Sequence, residues 1–309
     1  PGGDIIGQRP IDAHISGFMQ LGAKVTETEH TIMVDGADMQ AGVVVLPELS
    51  VTATENVLLA AARLPGKTTI ELAAAEPHVK ALCDLLTAMG APVEGGGTHT
   101  ITISGNEHLG GATFQNIPDM LEAGLFILMG AAAGDKLTVT NVPVHDLLSF
   151  FSVLDSIGVP YEVGSRDGTA DSVVVSRGSY KGFSIKALPY PGLATDLQAP
   201  FAVLATLASG SSLIHDPLYE GRFKHIQELQ KMGADAVVCD PHRVIINGPT
   251  PLHGHTIPSL DIRAGATLIL AGMIAEGETV IENAEIVDRG YAGLTDRLQA
   301  IGTSIERVS

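Results

Sequence analysis

Residues 86–93 read LTAMGAPV, and the same phrase returns as FMQLGAKV (18–25), LDSIGVPY (154–161), LQKMGADA (229–236) and LQAIGTSI (298–305). Its glycines, Gly22, Gly90, Gly158, Gly233 and Gly302, stand 68 to 75 residues apart, so a period rather than any single segment organises the chain. Each copy predicts a helix with an apolar face that stops at a glycine and passes into a strand. Only glycine takes the left-handed conformation past a helix end without a Cβ clash.

Two further phrases keep the step. HTIMVDG (30–36), HTITISG (99–105), DSVVVSRG (171–178) and HRVIING (242–248) alternate like strands and end at a glycine, as hairpin partners do. GKTTIEL (66–72), GDKLTVT (134–140), GSSLIHD (210–216) and GETVIEN (277–283) each follow an apolar, Ala-rich stretch. One unit therefore reads strand, helix, strand, helix, strand, strand. Four units are expected complete, and a fifth, at the front, holds only its second half. By the repeat length, roughly a hundred residues are expected upstream of Pro1, which is not an initiator Met. Such repeats predict an α/β (α+β) chain whose units pack around a shared helical core.

With 35 acidic against 18 basic residues in 309, the net charge is −17. That repels phosphate backbones and anionic lipid, so neither nucleic acid nor a membrane is an expected partner. Two isolated cysteines, Cys83 and Cys239, make neither a disulfide framework nor a metal quartet and fit a reducing cytoplasm. No apolar run reaches the length of a membrane span, and no signal peptide is visible.

On so acidic a chain, the positions of the arginines carry weight. Arg9-Pro10 enters a helix after the glycine turn PGGDIIG, in which Asp4 reads either as an Asx-turn or cap or as a catalytic acid. Asp196, in PYPGLATDLQAPF, reads either as an N-cap or as a general base. Asp261 with Arg263, Asp288 with Arg289, and Arg222 in YEGRFKHIQEL repeat the pattern of charges at loop-to-helix entries, where arginine forks suit phosphate and carboxylate groups. The HGH at His253 and His255 lacks a third metal ligand and reads as a solvated loop, EGGGTHT reads as a hairpin turn, and Cys83 reads as core.

Read in order, the motifs PGGxxxGxRPxDxH, SVxATEN, TDxQA, RFxHxxEL, DxRAxAxLxLAG and DRGY resemble the UDP-N-acetylglucosamine 1-carboxyvinyltransferases, from Asp4 to Tyr291. The related 5-enolpyruvylshikimate-3-phosphate synthases are the runner-up, and a noncatalytic nucleotide-sugar-binding relative is the alternative outside the enzymes. The resemblance implies the enolpyruvyl-transferase fold, an inside-out α/β barrel of two domains around a cleft. Here residues 1–117 are expected to be the remainder of the loop-bearing domain, about one and a half repeat units, and 118–309 the second domain of three. It implies transfer of enolpyruvyl from phosphoenolpyruvate to the 3-hydroxyl of UDP-N-acetylglucosamine, with release of phosphate, as the first committed step of peptidoglycan synthesis in the cytoplasm. Neither cofactor nor metal is implied.

Residue by residue, the resemblance puts Asp4 at the loop position usually held by a cysteine that protonates the phosphoenolpyruvate methylene. The chain is therefore expected to be insensitive to fosfomycin, which alkylates that thiol. It places Arg9, Pro10, Ile11, Asp12, Ala13, Ser50, Val51 and Leu218 on the nucleotide sugar, Asp196 beside the 3-hydroxyl as base, Asp261 as a second proton-transfer group, and Arg263 and Arg289 around phosphate and carboxylate. Glu48 departs from the pattern, which often has lysine there. An early Lys-Asn pair and an additional arginine of the family would belong to an upstream segment of the same protein. The 309 residues alone are expected to be inactive.

Overall fold

A computed structural model describes residues 10–28, 31–166 and 169–308. The chain divides into two compact units, Gln8–Ile117 and one holding Pro118–Ser309.

The first unit opens with α1 (Asp12–Gln20) and the hairpin β1 (Lys24–Glu27) and β2 (Ile32–Asp35), the helix-strand-strand second half expected at the front. One full repeat follows: β3 (Val43–Val45), α2 (Val51–Ala61), β4 (Gly66–Glu71), α3 (Pro77–Ala88), β5 (Val93–Glu94) and β6 (Thr100–Gly105). Its sheet has the order β3-β4-β6-β5, with β3 parallel to β4 and the other pairs antiparallel. The glycine-rich EGGGTHT turns β5 into β6, as expected. Val44, Leu46, Ile70, Ile101 and Ile103 from the sheet close on Ala53, Val57, Leu58 and Ala61 of α2 and Val79, Cys83 and Leu86 of α3.

The second unit continues with α4 (Met120–Ala133), β7 (Leu137–Thr140), α5 (Leu148–Ile157), β8 (Tyr161–Arg166) and β9 (Thr169–Val175). Then come β10 (Ser184–Lys186), α6 (Gln198–Leu207), β11 (Gly210–His215), α7 (Lys224–Lys231), β12 (Asp235–Asp240) and β13 (Arg243–Gly248). The run ends with β14 (Thr256–Pro258), α8 (Ile262–Ile274), β15 (Val280–Glu282) and α9 (Leu294–Ala300). The sheet β10-β11-β13-β12 repeats the order of the first unit's sheet, strand for strand.

Helices α4, α6 and α8 are apolar nearly all round, and Ala123–Ala132 and Gln198–Thr206 are buried without a break. A helix with no polar face belongs inside. These three pack on one another, with the sheets outside them. Helices within and strands without is the expected inside-out arrangement, and no closed barrel forms among the described strands.

The repeat glycines have steric causes. Gly22, Gly90, Gly158, Gly233 and Gly302 all have φ between +82 and +106°, just past a helix end. Gly105 and Gly248 instead lie against the carbonyls where α2 and α6 finish. A Cβ on Gly105 would sit 1.9 Å from the Leu64 oxygen, and one on Gly248 would sit 2.3 Å from the Ala208 oxygen. Gly105→Ala is expected to destabilise its unit by about 3 kcal/mol. Gly111→Ala, which meets nothing within 4 Å, should stay within about 1 kcal/mol of wild type. Urea midpoints of the two variants check this.

Two of the four units expected complete are not. No described strand pairs with β7 as β3, β10 and β14 pair with β4, β11 and β15. Residues 110–116 offer no buried side chain comparable to Val44, Ile185 or Ile257, the inward residues of the other opening strands. The last unit shows no strand after α9 among the described residues.

Candidate active site

Several central helices are entered through a hydroxyl or acidic residue that caps them. Ser50 Oγ accepts from the Ala53 N–H, Asp119 Oδ1 from the N–H groups of Leu121 and Glu122, and Asp261 Oδ1 from those of Arg263 and Ala264. Capping satisfies backbone donors that have no partner within the helix. Asp196 behaves differently. A 3₁₀ turn, Thr195–Leu197, precedes α6 and receives no side-chain cap. The carboxylate faces two arginines instead: Arg222 Nη1 lies 2.8 Å from Oδ1 and Arg263 Nε 3.4 Å from Oδ2. Asp196 makes no side-chain cap to the turn or to α6.

The surroundings of this trio are built from both sides. Asp216, fully buried at the end of β11, accepts from the Thr195 hydroxyl and from the Leu218 N–H, which ties the turn bearing Asp196 to the loop leading to Arg222. Arg222 lies over the Tyr219 ring at 4.9 Å, and Arg263 over Tyr291 at 5.1 Å while donating from Nη1 to the Tyr291 hydroxyl at 2.7 Å. Both guanidiniums therefore lie within cation–π range of an aromatic ring. Burial works against the charge on Arg263, but Tyr291, Asp196 and Asp119 together hold its pKa above the ordinary value. Burial pushes the Tyr291 hydroxyl up to about 12, against the pull of Arg263. It thus stays protonated at neutral pH and can accept from the arginine. Gly290 is required beside it, since a Cβ there would meet Ile262 Cγ2 at 2.4 Å.

The other expected site residues are spread over both units. Leu218 is exposed in the loop after β11, and Arg289 is exposed at the end of the 3₁₀ helix Ala284–Arg289, two residues before Tyr291. In the unit Gln8–Ile117, Pro10 and Ile11 are exposed ahead of α1, Asp12 opens that helix and Ala13 is buried beneath it. Ser50 and Val51 start α2, and Glu48 is exposed just before them. Asp4 and Arg9 lie outside the described residues. His253 Nδ1 stands 3.7 Å from Glu276, and among the described residues no group of three His, Cys, Asp or Glu could hold a metal. Cys83 is buried, and its thiol is pushed up to about 11 by that burial.

Sequence reasoning passed over several residues that organise these segments. On α1, His14 accepts at Nδ1 from the Asn56 amide (2.8 Å), so Nε2 carries the hydrogen and faces Thr52 Oγ1 at 3.1 Å. Thr52 and Asn56 are one turn apart on α2, and together they fix α1 against the start of that helix. Their spacing within SVTATEN was the available signal. Tyr291 was visible only as the end of DRGY, without a role, and Asp216 gave no signal, because their value lies in contacts distant along the chain.

In chemical terms the second unit presents one carboxylate between two arginines at the N-terminal ends of helices. Such a group can accept a proton, and such cations can hold an anion. No helix among the described residues is long and apolar enough to cross a membrane.

Residues 1–298 match the family described as EPSP synthase (3-phosphoshikimate 1-carboxyvinyltransferase). The chain is 42% identical to UDP-N-acetylglucosamine 1-carboxyvinyltransferase 2 of Listeria monocytogenes serovar 1/2a, with all of the chain and 72% of that protein aligned. It is also 42% identical to UDP-N-acetylglucosamine 1-carboxyvinyltransferase of Clostridium botulinum, covering 73% of it. The enolpyruvyl transferase NikO from Streptomyces tendae superposes with a TM-score of 0.86 at 26% identity, over 96% of this chain and 72% of that one. EPSP synthase from Acinetobacter baumannii, at 20% identity over 98% and 73% of the two chains, shares the fold with a TM-score of 0.73. A buried three-helix core, the Asp196 clamp and these likenesses lead to one placement: the chain belongs to the EPSP synthase family of enolpyruvyl transferases, with the UDP-N-acetylglucosamine 1-carboxyvinyltransferases among its relatives.

Proposed function

We propose that the full-length protein to which this chain belongs transfers the enolpyruvyl group of phosphoenolpyruvate to the 3-hydroxyl of UDP-N-acetylglucosamine and releases phosphate, a cytoplasmic step that commits the sugar to peptidoglycan. The observation that carries the reading is Asp196, withheld from capping and held between Arg222 and Arg263. Asp196 takes the proton of the 3-hydroxyl as its oxygen attacks C2 of phosphoenolpyruvate. Asp4 delivers a proton to the methylene carbon, completing a tetrahedral adduct. Collapse returns one methyl proton to a carboxylate, with Asp261 the second proton-transfer group, and expels phosphate. Arg263 and Arg289 offset the negative charge of phosphate and carboxylate through both steps. Substrate anions reaching Arg222 and Arg263 compete with Asp196 for them, and that competition releases the carboxylate to act as a base.

Arg9, Pro10, Ile11, Asp12, Ala13, Ser50, Val51 and Leu218 are assigned to the nucleotide sugar. An upstream segment of the same protein is proposed as the opening strand beside β7. In its support, the other three units pair such a strand in parallel, and a cavity of about 430 Å³ lies along β7, lined by Asp119, Phe126, Val139, Arg297 and Ile301 among others.

Phosphate release from phosphoenolpyruvate by the native full-length protein tests the reading, with UDP-N-acetylglucosamine and shikimate 3-phosphate offered separately. The expected kcat/KM favours the nucleotide sugar by about 10³-fold or more. Preference for shikimate 3-phosphate would move the assignment to the other branch of the family. No release with either acceptor would leave a noncatalytic binding protein.

A further inference from the structure

The main-chain carbonyl of Arg222 is gripped from two sides. His225 Nδ1 lies 3.0 Å from this oxygen and Gln198 Nε2 lies 3.4 Å from it. A carbonyl oxygen only accepts, so both nitrogens donate, and the imidazole is fixed as the tautomer with hydrogen on Nδ1. Both side chains are 1% exposed. The same three residues contribute buried polar atoms that no other group reaches: Arg222 Nε, Gln198 Oε1 and His225 Nε2. Burying such atoms is costly. A purely structural packing role is better served by apolar side chains of similar size. The cost is concentrated at the root of the arginine that clamps Asp196.

From this we infer that His225 and Gln198 are positioning residues for the transfer reaction: by donating to the Arg222 carbonyl they aim its guanidinium at Asp196. They come from different elements, Gln198 from the first turn of α6 and His225 from the first turn of α7. Asp196 stands on the turn that leads into α6 and Arg222 on the loop that leads into α7. The carbonyl therefore acts as a rivet joining the base-bearing turn to the arginine-bearing loop. Burial holds the His225 ring neutral, with its pKa lowered to about 4, so the donor arrangement persists across the working range of pH. Phe223, between Arg222 and His225, is buried in the core and immediately precedes α7.

The inference rests on the transferase reading, so activity of the wild-type protein is established first; its absence would count against that reading and leave this one without a reaction. His225→Asn keeps a donor near the Nδ1 position but loses packing volume, whereas His225→Leu keeps volume and loses the donor. If positioning is the role, the order of activity opposes the order of stability. His225→Asn should retain kcat within about fivefold and His225→Leu should lose about 10- to 100-fold, while thermal melting ranks leucine at or above asparagine. Gln198→Met, in case neither histidine variant folds, should lower kcat by about 3- to 10-fold. In an Arg222→Met background the leucine substitution should cost no further kcat, because nothing is left to aim. Equal kcat in the two histidine variants, or a loss that persists undiminished after Arg222→Met, would overturn the inference.

Discussion

Asp196→Asn is expected to lower kcat by about 10²- to 10⁴-fold, the range that removal of a positioned general base costs. The change keeps the shape of the side chain and a single oxygen for one of its arginines, but removes the proton acceptor. Because the proton moves only in the transition state, kcat and kcat/KM should fall together while the nucleotide sugar still binds. Stability should fall as well, since Arg222 and Arg263, with side chains only 13% and 19% exposed, lose the countercharge they face. Breaking a pair at such a site leaves charge poorly compensated. Steady-state kinetics with a calorimetric binding titration separate these effects. A variant that retains more than a tenth of wild-type kcat would remove Asp196 as the base.

Fosfomycin is expected to leave the active protein unmodified and uninhibited. Alkylation by an epoxide needs a thiolate within the site, and the position that the resemblance assigns to the loop cysteine is Asp4. Cys83 cannot substitute for it, being buried with its thiol raised to about 11, and Cys239 lies on β12, exposed and outside the group around Asp196. Asp4→Cys should then take up one fosfomycin per chain and lose activity, as intact mass and residual turnover would show. Stoichiometric labelling of the wild-type protein accompanied by inactivation would contradict the role given to Asp4.

The repeat was legible because its marker is local. A glycine past a helix end is demanded by the backbone of that residue alone, and all five marker glycines have positive φ. The incomplete units were not legible, because a strand exists only with a partner, and β7 pairs with β9 but with no parallel opening strand among the described residues. Asp196 and Asp261 look alike in sequence, each an acid ahead of an Ala-rich apolar helix. What separates them is geometry: backbone N–H groups at hydrogen-bonding distance for Asp261, and for Asp196 a 3₁₀ turn that brings it to Arg222, 26 residues on. Arginines at helix entries were recognised as a pattern, but the aromatic faces that orient two of them, Tyr219 and Tyr291, were not. Aromatic stacking on an arginine has no sequence spacing of its own. The same holds for His225, whose place in RFKHIQEL says helix start and whose value lies in a carbonyl three residues back.

The most direct measurement is the structure and stoichiometry of the product formed when the native full-length protein is given phosphoenolpyruvate and UDP-N-acetylglucosamine together. One phosphate is expected to be released for each UDP-N-acetylglucosamine converted, with the enolpyruvyl ether on the 3-oxygen of the sugar by NMR. Recovery of unchanged UDP-N-acetylglucosamine, whether or not phosphate is released, would contradict it.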